Sequence, residues 1–203
     1  MDAIQSNPGR GGCGIVAMAE LKQGPSHDLI ERTLGALQCM EHRGGCLDGT
    51  GDGAGLLFQP ERAFFERFLA PNRRLPDGEP LMVGSVWFLR GERNLRELQR
   101  DIDALIRREG LAALGWREVP VRPEVLGARA RQDMPIFLQL FVGQGHRLQK
   151  HLGAALRAIS RKIETSFGGA VAVPSLSERT TVYKALATSS QLAAFFEDLT
   201  DPD

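Results

Sequence analysis

The strongest constraint on the fold is an alternation of short apolar runs with stretches whose apolar residues recur at helical spacing. The runs predict strands at residues 13–20, 56–58, 81–89, 116–121, 136–142, 170–173 and 181–186. The helical spacing predicts helices over residues 28–40, 61–69, 95–110, 148–163 and 191–196. Ser26 is the expected N-cap of the first helix, and Gly168-Gly169 should end the fourth. Because several runs are apolar on both faces, we expect a sheet covered by helices.

Composition excludes several classes of protein. The 203 residues, 42% of them hydrophobic, suffice for one sizeable core. The 25 basic and 25 acidic residues balance, unlike the basic surface of a nucleic-acid-binding protein. No run reaches the ~18 apolar residues of a membrane span, and residues 1–12 lack the apolar region of a secretory signal. Three cysteines are too few for a disulfide framework, which fits a reducing cytoplasm. We therefore expect neither a nucleic-acid nor a membrane partner.

Cys13 is the first residue that could carry chemistry. It follows Gly11-Gly12 and opens an apolar run. A cysteine at a chain start can be activated by its own α-amine, because free amines titrate near pH ~8 and thiols near ~8.5. This requires removal of residues 1–12. The alternative is a small buried hydrophobe at the start of a strand, and spacing alone favours that alternative.

The glycine-rich run at residues 49–54 matches the Gly-x-Gly-x-x-Ala dinucleotide fingerprint. That fingerprint needs a strand before it and a helix after it, whereas here a predicted helix precedes and a strand follows. We therefore reject nucleotide binding. Two interpretations stay open: a loop whose backbone approaches a ligand closely, or a plain tight connection.

Cys39, His42 and Cys46 have a spacing tolerable for zinc, with Cys13 or His27 as a fourth ligand. We disfavour zinc because Cys39 should lie on the packed side of the helix end and no Cys-x-x-Cys pair supports a site. Arg43 could pair with a carboxylate or be a solvated cation at a helix end. The remaining histidines are expected at the surface; they are His146 and His151.

Several motifs, in register, resemble glutamate synthases, and most closely the ferredoxin-dependent enzymes of cyanobacteria and plastids. They are Cys-Gly-Ile-Val at 13–16, Cys-Met-Glu-His-Arg-Gly-Gly-Cys at 39–46, Gly-Asp-Gly-Ala-Gly at 51–55, Leu-Gly-Trp-Arg-Glu-Val-Pro-Val at 114–121, Val-Leu-Gly at 125–127 and Arg-Thr-Thr-Val-Tyr-Lys at 179–184. The likeness runs from Cys13 almost to the end of the chain. Motifs that fall in order are far more specific than any one of them.

The resemblance implies an α+β fold, the αββα four-layer sandwich of N-terminal-nucleophile hydrolases, incomplete at its C-terminus. It implies that residues 1–12 are a propeptide and that residues 13–203 are the N-terminal part of a type-2 glutamine amidotransferase domain. On this fold we expect the first helix to pack Ile30, Leu34 and Leu37 on a sheet that contains residues 13–19. The loop at residues 49–55 should then lie close to Cys13.

The resemblance also implies a reaction. Cys13 would attack the side-chain amide of glutamine and release ammonia, and the glutamyl thioester would hydrolyse to glutamate. Gly14, Arg43, Gly44, Asp52 and Gly53 fall in the shared motifs and are expected to bind substrate or support the site. No metal is expected. In the full-length family FMN and an iron–sulfur cluster accept electrons from ferredoxin, and this chain should hold no cofactor itself.

The chain also departs from the family. An Arg-Phe-Ser-Thr-Asn-Thr-like segment and an Asn-Gly pair, which supply the substrate arginine and the oxyanion donors, are absent. We therefore expect a truncated glutaminase domain with little activity alone, because losing one oxyanion donor costs ~10²–10³ in rate. The remaining glutamate synthase polypeptide is a candidate partner, in the cytoplasm or plastid stroma. The alternative is a non-catalytic remnant or partner-binding module of the same fold.

Overall fold

The computed structural model describes residues 13–22, 26–47, 49–59, 61–89, 94–145 and 151–201. The predicted propeptide, residues 1–12, and His146 lie outside the described residues. Within these ranges the helices are α1 His27–Gln38, α2 Arg62–Glu66, α3 Leu95–Arg108, α4 Ala128–Gln132, α5 Leu152–Ser166 and α6 Ser189–Phe195. The strands are β1 Cys46–Leu47, β2 Thr50–Gly51, β3 Ala54–Phe58, β4 Met82–Phe88, β5 Ala112–Glu118, β6 Ile136–Gly143, β7 Val171–Ser177 and β8 Thr181–Ala185. Helices and antiparallel sheets together confirm the α+β class.

The largest sheet is antiparallel, with the strand order β5-β6-β4-β7. Its central strands, β4 and β6, pair along their whole length, with Val86 opposite Leu138 and Gly84 opposite Leu140. Every residue of β4 except Trp87 is buried, because both faces of the sheet are covered. The continuous apolar runs at residues 81–89 and 136–142 follow from this position.

Helices α3 and α5 cover one face of this sheet. Asn94 begins α3 as its N-cap, since its side chain accepts a hydrogen bond from Arg96 N–H at 2.9 Å. α5 ends at Ser166, shortly before Gly168 and Gly169, whose φ values of 54° and 83° suit glycine. The two helices bury apolar side chains against the sheet, and each fully buried Leu or Ile contributes about 1.5–3 kcal/mol. The best buried of them are Ile102, Ile106, Leu156 and Ile163.

The other face of the large sheet is met by the pair β3–β8, which is antiparallel with Leu56 opposite Tyr183. Ser85 Oγ on β4 donates a hydrogen bond to the Val182 carbonyl on β8 at 2.8 Å. A second core joins this pair to α1 and α6, and its fully or nearly fully buried members include Leu34, Leu56, Leu192, Phe195 and Phe196. None of the helices in the described ranges is long and apolar enough to cross a membrane.

Two strand predictions need correction. Residues 13–20 form no strand; the segment is irregular and Ile15 is 86% exposed, because no described strand pairs with it. The expected sheet containing residues 13–19 is therefore wrong, although Leu34 is buried and Ile30 packs against the second core. The strand predicted at 116–121 is Ala112–Glu118, and Val121 forms only an isolated bridge with Phe196. The other strands and helices are confirmed within a few residues at their ends, apart from residues 148–150, which are not described.

Candidate functional site

Hydrogen bonds between Asp52 and Gly45, which we call the Asp52–Gly45 clasp, join two loops that carry candidate site residues. A 3₁₀ helix, Glu41–Arg43, follows α1 and leads into β1, which pairs with β2 so that Cys46 lies opposite Gly51. Gly45 N–H donates to Asp52 Oδ2 at 2.8 Å, and Asp52 N–H donates to the Gly45 carbonyl at 3.0 Å. A Cβ on Gly45 would lie 2.2 Å from that carboxylate oxygen. Asp52 thus fixes the loop that contains Arg43 and Gly44.

Side chains of the N-terminal turn of α6 form hydrogen bonds with both loops. Thr188 and Gln191 form a capping box, and Gln191 Nε2 also donates to the carbonyls of Gly49 at 3.1 Å and Val125 at 2.9 Å. Ser190 Oγ donates to Glu41 Oε1 at 3.1 Å. One helical turn therefore contacts the start of each loop.

Glycine at position 51 makes room for the protein's own backbone. A Cβ there would lie 2.3 Å from the Ala187 carbonyl oxygen and 2.5 Å from Thr188 N. This close approach favours a tight connection at Gly51. Gly53, with φ of 141°, adopts a backbone conformation that other residues rarely reach.

Cys13 is exposed, and the segment that follows it lines a groove of about 850 Å³. Residues 14–20 line this groove together with residues of α1 and β3, and we call it the α1–β3 groove. Gly14 approaches Met40, since a Cβ on Gly14 would lie 3.0 Å from Met40 Cβ. Gly55, at the end of the glycine-rich loop, lines the same groove.

A buried polar network of Arg117, Gln139, Tyr183 and Asp198, which we call the Tyr183 network, also lies at the groove. Tyr183 and Asp198 line the groove. Tyr183 OH donates to Asp198 Oδ2 at 2.6 Å, and Arg117 donates to the same oxygen. Gln139 Nε2 donates to Tyr183 OH at 2.8 Å. The side chains of Arg117 and Asp198 are only 8% and 7% exposed.

Burial sets the protonation of this network. It raises the pKa of Tyr183 well above its ordinary value, and the charge of Asp198 adds to the effect, so Tyr183 stays a neutral donor. Burial also raises the pKa of Asp198, although the positive charge of Arg117 and the hydrogen bonds from Tyr183 and Arg117 oppose it. The loss of solvation at Asp198 thus outweighs the attraction of its ion pair.

The cysteines do not gather into a site. Cys13, Cys39 and Cys46 are all free and exposed, so the expectation that Cys39 lies on the packed side of its helix is wrong. In the described ranges no group of three or more His, Cys, Asp or Glu side chains is arranged to hold a metal ion. His151 is exposed, as its position in the sequence predicts.

Sequence reasoning missed the residues that connect these features. The capping-box pattern Thr-x-x-Gln at residues 188–191 was available as a signal, although it says nothing of Gly49 or Val125. Arg117 and Tyr183 lie in motifs shared with glutamate synthases, but nothing local predicts that they meet at Asp198. Arg43 is exposed at the end of its 3₁₀ helix.

Comparison with known proteins places these features in a family. The sequence model of the class-II glutamine amidotransferases matches residues 13–203. The chain is 40% identical over 202 residues to ferredoxin-dependent glutamate synthase 2 of Synechocystis sp., with 95% of this chain and 13% of the relative covered. It is 38% identical over 196 residues to the glutamate synthase [NADPH] large chain of Bacillus subtilis, with 93% and 13% covered.

A plant relative extends the same pattern. Ferredoxin-dependent glutamate synthase 1, chloroplastic/mitochondrial, of Arabidopsis thaliana is 36% identical over 203 residues, with 94% of this chain and 12% of the relative covered. The chain thus spans about one eighth of the length of these relatives. By the family match and these identities, the chain belongs to the class-II glutamine amidotransferases, in the branch found in glutamate synthases.

Proposed function

We propose that this chain is a glutaminase unit that hydrolyses glutamine through the thiol of Cys13. Residues 1–12 are removed, and the freed α-amine accepts the thiol proton. The sulfur attacks the carboxamide carbon, and the C–N bond breaks as the nitrogen takes up a proton and leaves as ammonia. Water then attacks the thioester, which releases glutamate and restores the thiol. The observation that carries the proposal is the family match, which begins at Cys13.

The loops clasped by Asp52 would frame the thiol. Gly14 packs against Met40, which immediately precedes the 3₁₀ helix that ends at Arg43. The Asp52–Gly45 hydrogen bonds join the Arg43–Gly44 segment to the Asp52–Gly53 segment. In the proposed site Arg43 supplies positive charge, and Gly44 and Gly53 allow close backbone approach to glutamine.

The segment after Cys13 would complete the site by closing the α1–β3 groove. Among the described residues β3 pairs only with β8, so its second edge is open to another strand. Residues 14–20, which line the groove together with residues of β3, have the strand-length apolar pattern that such an edge accepts. We propose the αββα layering of N-terminal-nucleophile hydrolases for the closed form. Helices on one face of the large sheet and β3–β8 on the other support this layering.

The released ammonia would serve glutamate synthesis from 2-oxoglutarate in the remaining glutamate synthase polypeptide. That part would hold the FMN and the iron–sulfur cluster and take electrons from ferredoxin. Iron–sulfur clusters are held by cysteine thiolates, and the three cysteines of this chain are exposed and, within the described ranges, not grouped to hold a metal. We therefore place those cofactors outside this chain. The compartment would be the cytoplasm or the plastid stroma.

An electrophilic glutamine analogue tests the nucleophile directly. Protein that begins at Cys13 is treated with a chloroketone analogue of glutamine, and labelled peptides are identified by mass spectrometry. We expect one label, on Cys13, that excess glutamine prevents. The matched controls, Cys39→Ser and Cys46→Ser, should label as the parent does, because all three thiols are exposed and only Cys13 is proposed to sit beside bound glutamine.

Ammonia release from glutamine, assayed with the remaining glutamate synthase polypeptide present because the chain alone is expected to have little activity, provides the second measurement. Cys13→Ser should abolish it, whereas the other two serine variants should retain it. If Cys13→Ser stays active, the nucleophile is assigned wrongly. Labelling of all three cysteines alike, with no protection by glutamine, would instead support a non-catalytic module of the same fold.

A further inference from the structure

We propose that Gln191 is a positioning residue of this site, which fixes the glycine-rich loop and thereby Asp52. The inference rests on the proposed function for its catalytic consequence, but the geometry it describes can be measured independently. Gln191 lies on α6 and is far in sequence from the loops it organises. None of the glutamate synthase motifs in the sequence includes it.

The carboxamide of Gln191 makes bonds that a carboxylate or a hydroxyl could not all reproduce. Its Oε1 accepts the Thr188 N–H at 2.9 Å. Its Nε2 donates to the Gly49 carbonyl at 3.1 Å and to the Val125 carbonyl at 2.9 Å. A side-chain amide alone combines an acceptor oxygen with two donor hydrogens on one rigid plane. The same group therefore caps α6 and tethers two other segments.

The tether acts on the candidate site through a short path. Gly49 immediately precedes β2, whose Gly51 pairs with Cys46 and packs on the backbone of Ala187. Asp52 follows directly and holds Gly45 with its carboxylate and its amide. If the Gly49 carbonyl loses its hydrogen bond to Gln191, β2 is no longer fixed to α6 at that point. Asp52, which follows β2, can then move, and its hydrogen bonds with Gly45 are weakened.

Two substitutions separate the cap from the tether. Gln191→Glu keeps an oxygen for the Thr188 N–H and places a negative charge at a helix N-terminus, which is favourable. It loses both donors to the carbonyls of Gly49 and Val125. Thr188→Ala does the reverse, because it removes the hydroxyl that accepts Gln191 N–H and leaves the carboxamide in place.

Amide hydrogen exchange at Gly45 and Asp52 measures the clasp without any need for activity. In Gln191→Glu we expect these two amides to exchange faster, on the order of tenfold, since the hydrogen bonds from residue 191 to Gly49 and Val125 are lost. The melting temperature of this variant should fall as well, since hydrogen bonds are lost, so protection is compared well below the melting transition. Thr188→Ala should melt at a lower temperature while both amides keep their protection below the transition.

Glutamine hydrolysis then tests the catalytic consequence separately from the positioning of the loop. In an active parent, assayed well below the melting temperature of each variant, Gln191→Glu should lower kcat/KM severalfold, and Thr188→Ala should not. Unchanged protection of Gly45 and Asp52 in Gln191→Glu would overturn the positioning role, as would equal loss of protection in both variants. A parent that stays inactive with the remaining glutamate synthase polypeptide present, and whose clasp is nonetheless loosened by Gln191→Glu, would contradict the proposed function and leave the positioning inference standing.

Discussion

The Tyr183 network offers a sharp test, because it contains a buried ion pair in which burial outweighs attraction. Arg117→Met removes the cation and keeps a long apolar side chain against Phe68, over whose ring the guanidinium carbon lies at 3.8 Å. Among the described residues, Asp198 then keeps the side-chain hydrogen bond from Tyr183 but no cation partner, with its side chain 7% exposed. Removing one partner of a buried pair typically costs about 3–5 kcal/mol. This is a large fraction of the ~5–15 kcal/mol that stabilises a domain.

The loss of unfolding free energy caused by Arg117→Met should be larger at neutral pH than at acid pH. Burial already raises the pKa of Asp198, and loss of the Arg117 charge raises it further. A carboxyl group whose folded pKa exceeds its unfolded value of ~3.9 binds more protons in the folded state. The free energy of unfolding therefore falls as pH rises through the window between those two values. We expect the full cost of Arg117→Met at neutral pH and little of it below pH ~4.

Urea unfolding at pH 4 and pH 7, followed by the fluorescence of Trp87 and Trp116, measures this cost. The double variant Arg117→Met/Asp198→Asn removes both charges and keeps an acceptor for Tyr183 OH. It should recover most of the stability lost at pH 7, because no uncompensated charge is left buried. Equal stability of Arg117→Met and the parent at pH 7, or a double variant no more stable than Arg117→Met, would refute the reasoning.

Two further pairs of substitutions test the close packing at Gly51 and the α1–β3 groove. Gly51→Ala should cost about 1–3 kcal/mol because its Cβ would lie 2.3 Å from the Ala187 carbonyl oxygen. Gly35→Ala, inside α1, should instead gain about 0.5–1 kcal/mol, because the added Cβ would meet nothing within 4 Å beyond the adjacent helix backbone. Equal thermal shifts in the two variants would count against the close approach at Gly51. The exposed side chains of Ile15 and Leu57 on the α1–β3 groove should bind a hydrophobic fluorescent dye. Ile15→Asp should weaken that signal more than Leu89→Asp, which lies outside the groove lining, and equal effects would exclude the groove as the dye site.

Most of the elements could be predicted from sequence because their side chains bury in a regular pattern. The continuous apolar runs of β4 and β6 reflect a sheet covered on both faces, and the spacing in α3 reflects one buried stripe. The N-cap at Ser26 and the stop at Gly168-Gly169 are local signals that need no tertiary information. The strand at residues 112–118 was misplaced because its outward residues are only partly buried and give a weak pattern.

The site was less predictable because its connections join distant residues. The sequence likeness singled out Gly44 and Asp52, and the clasp between their loops is local enough to be plausible from sequence. The bonds of Gln191 to Gly49 and of Arg117 to Asp198 span 142 and 81 positions. Such contacts depend on the packing of α6 and of the 3₁₀ helix Glu197–Thr200, which no pattern in the chain reveals.

The segment after Cys13 shows why a local pattern does not suffice for a strand. Residues 13–20 have the composition of a buried strand, yet a strand forms only where a neighbour accepts its backbone hydrogen bonds. The α1–β3 groove keeps that neighbour at a distance and leaves Cys13 exposed. The tetrahedral intermediates of amide and thioester hydrolysis are stabilised by donors and dipoles that are held fixed around the thiol. On the proposed mechanism, closure of this segment onto β3 and assembly of the thiol site are therefore one event.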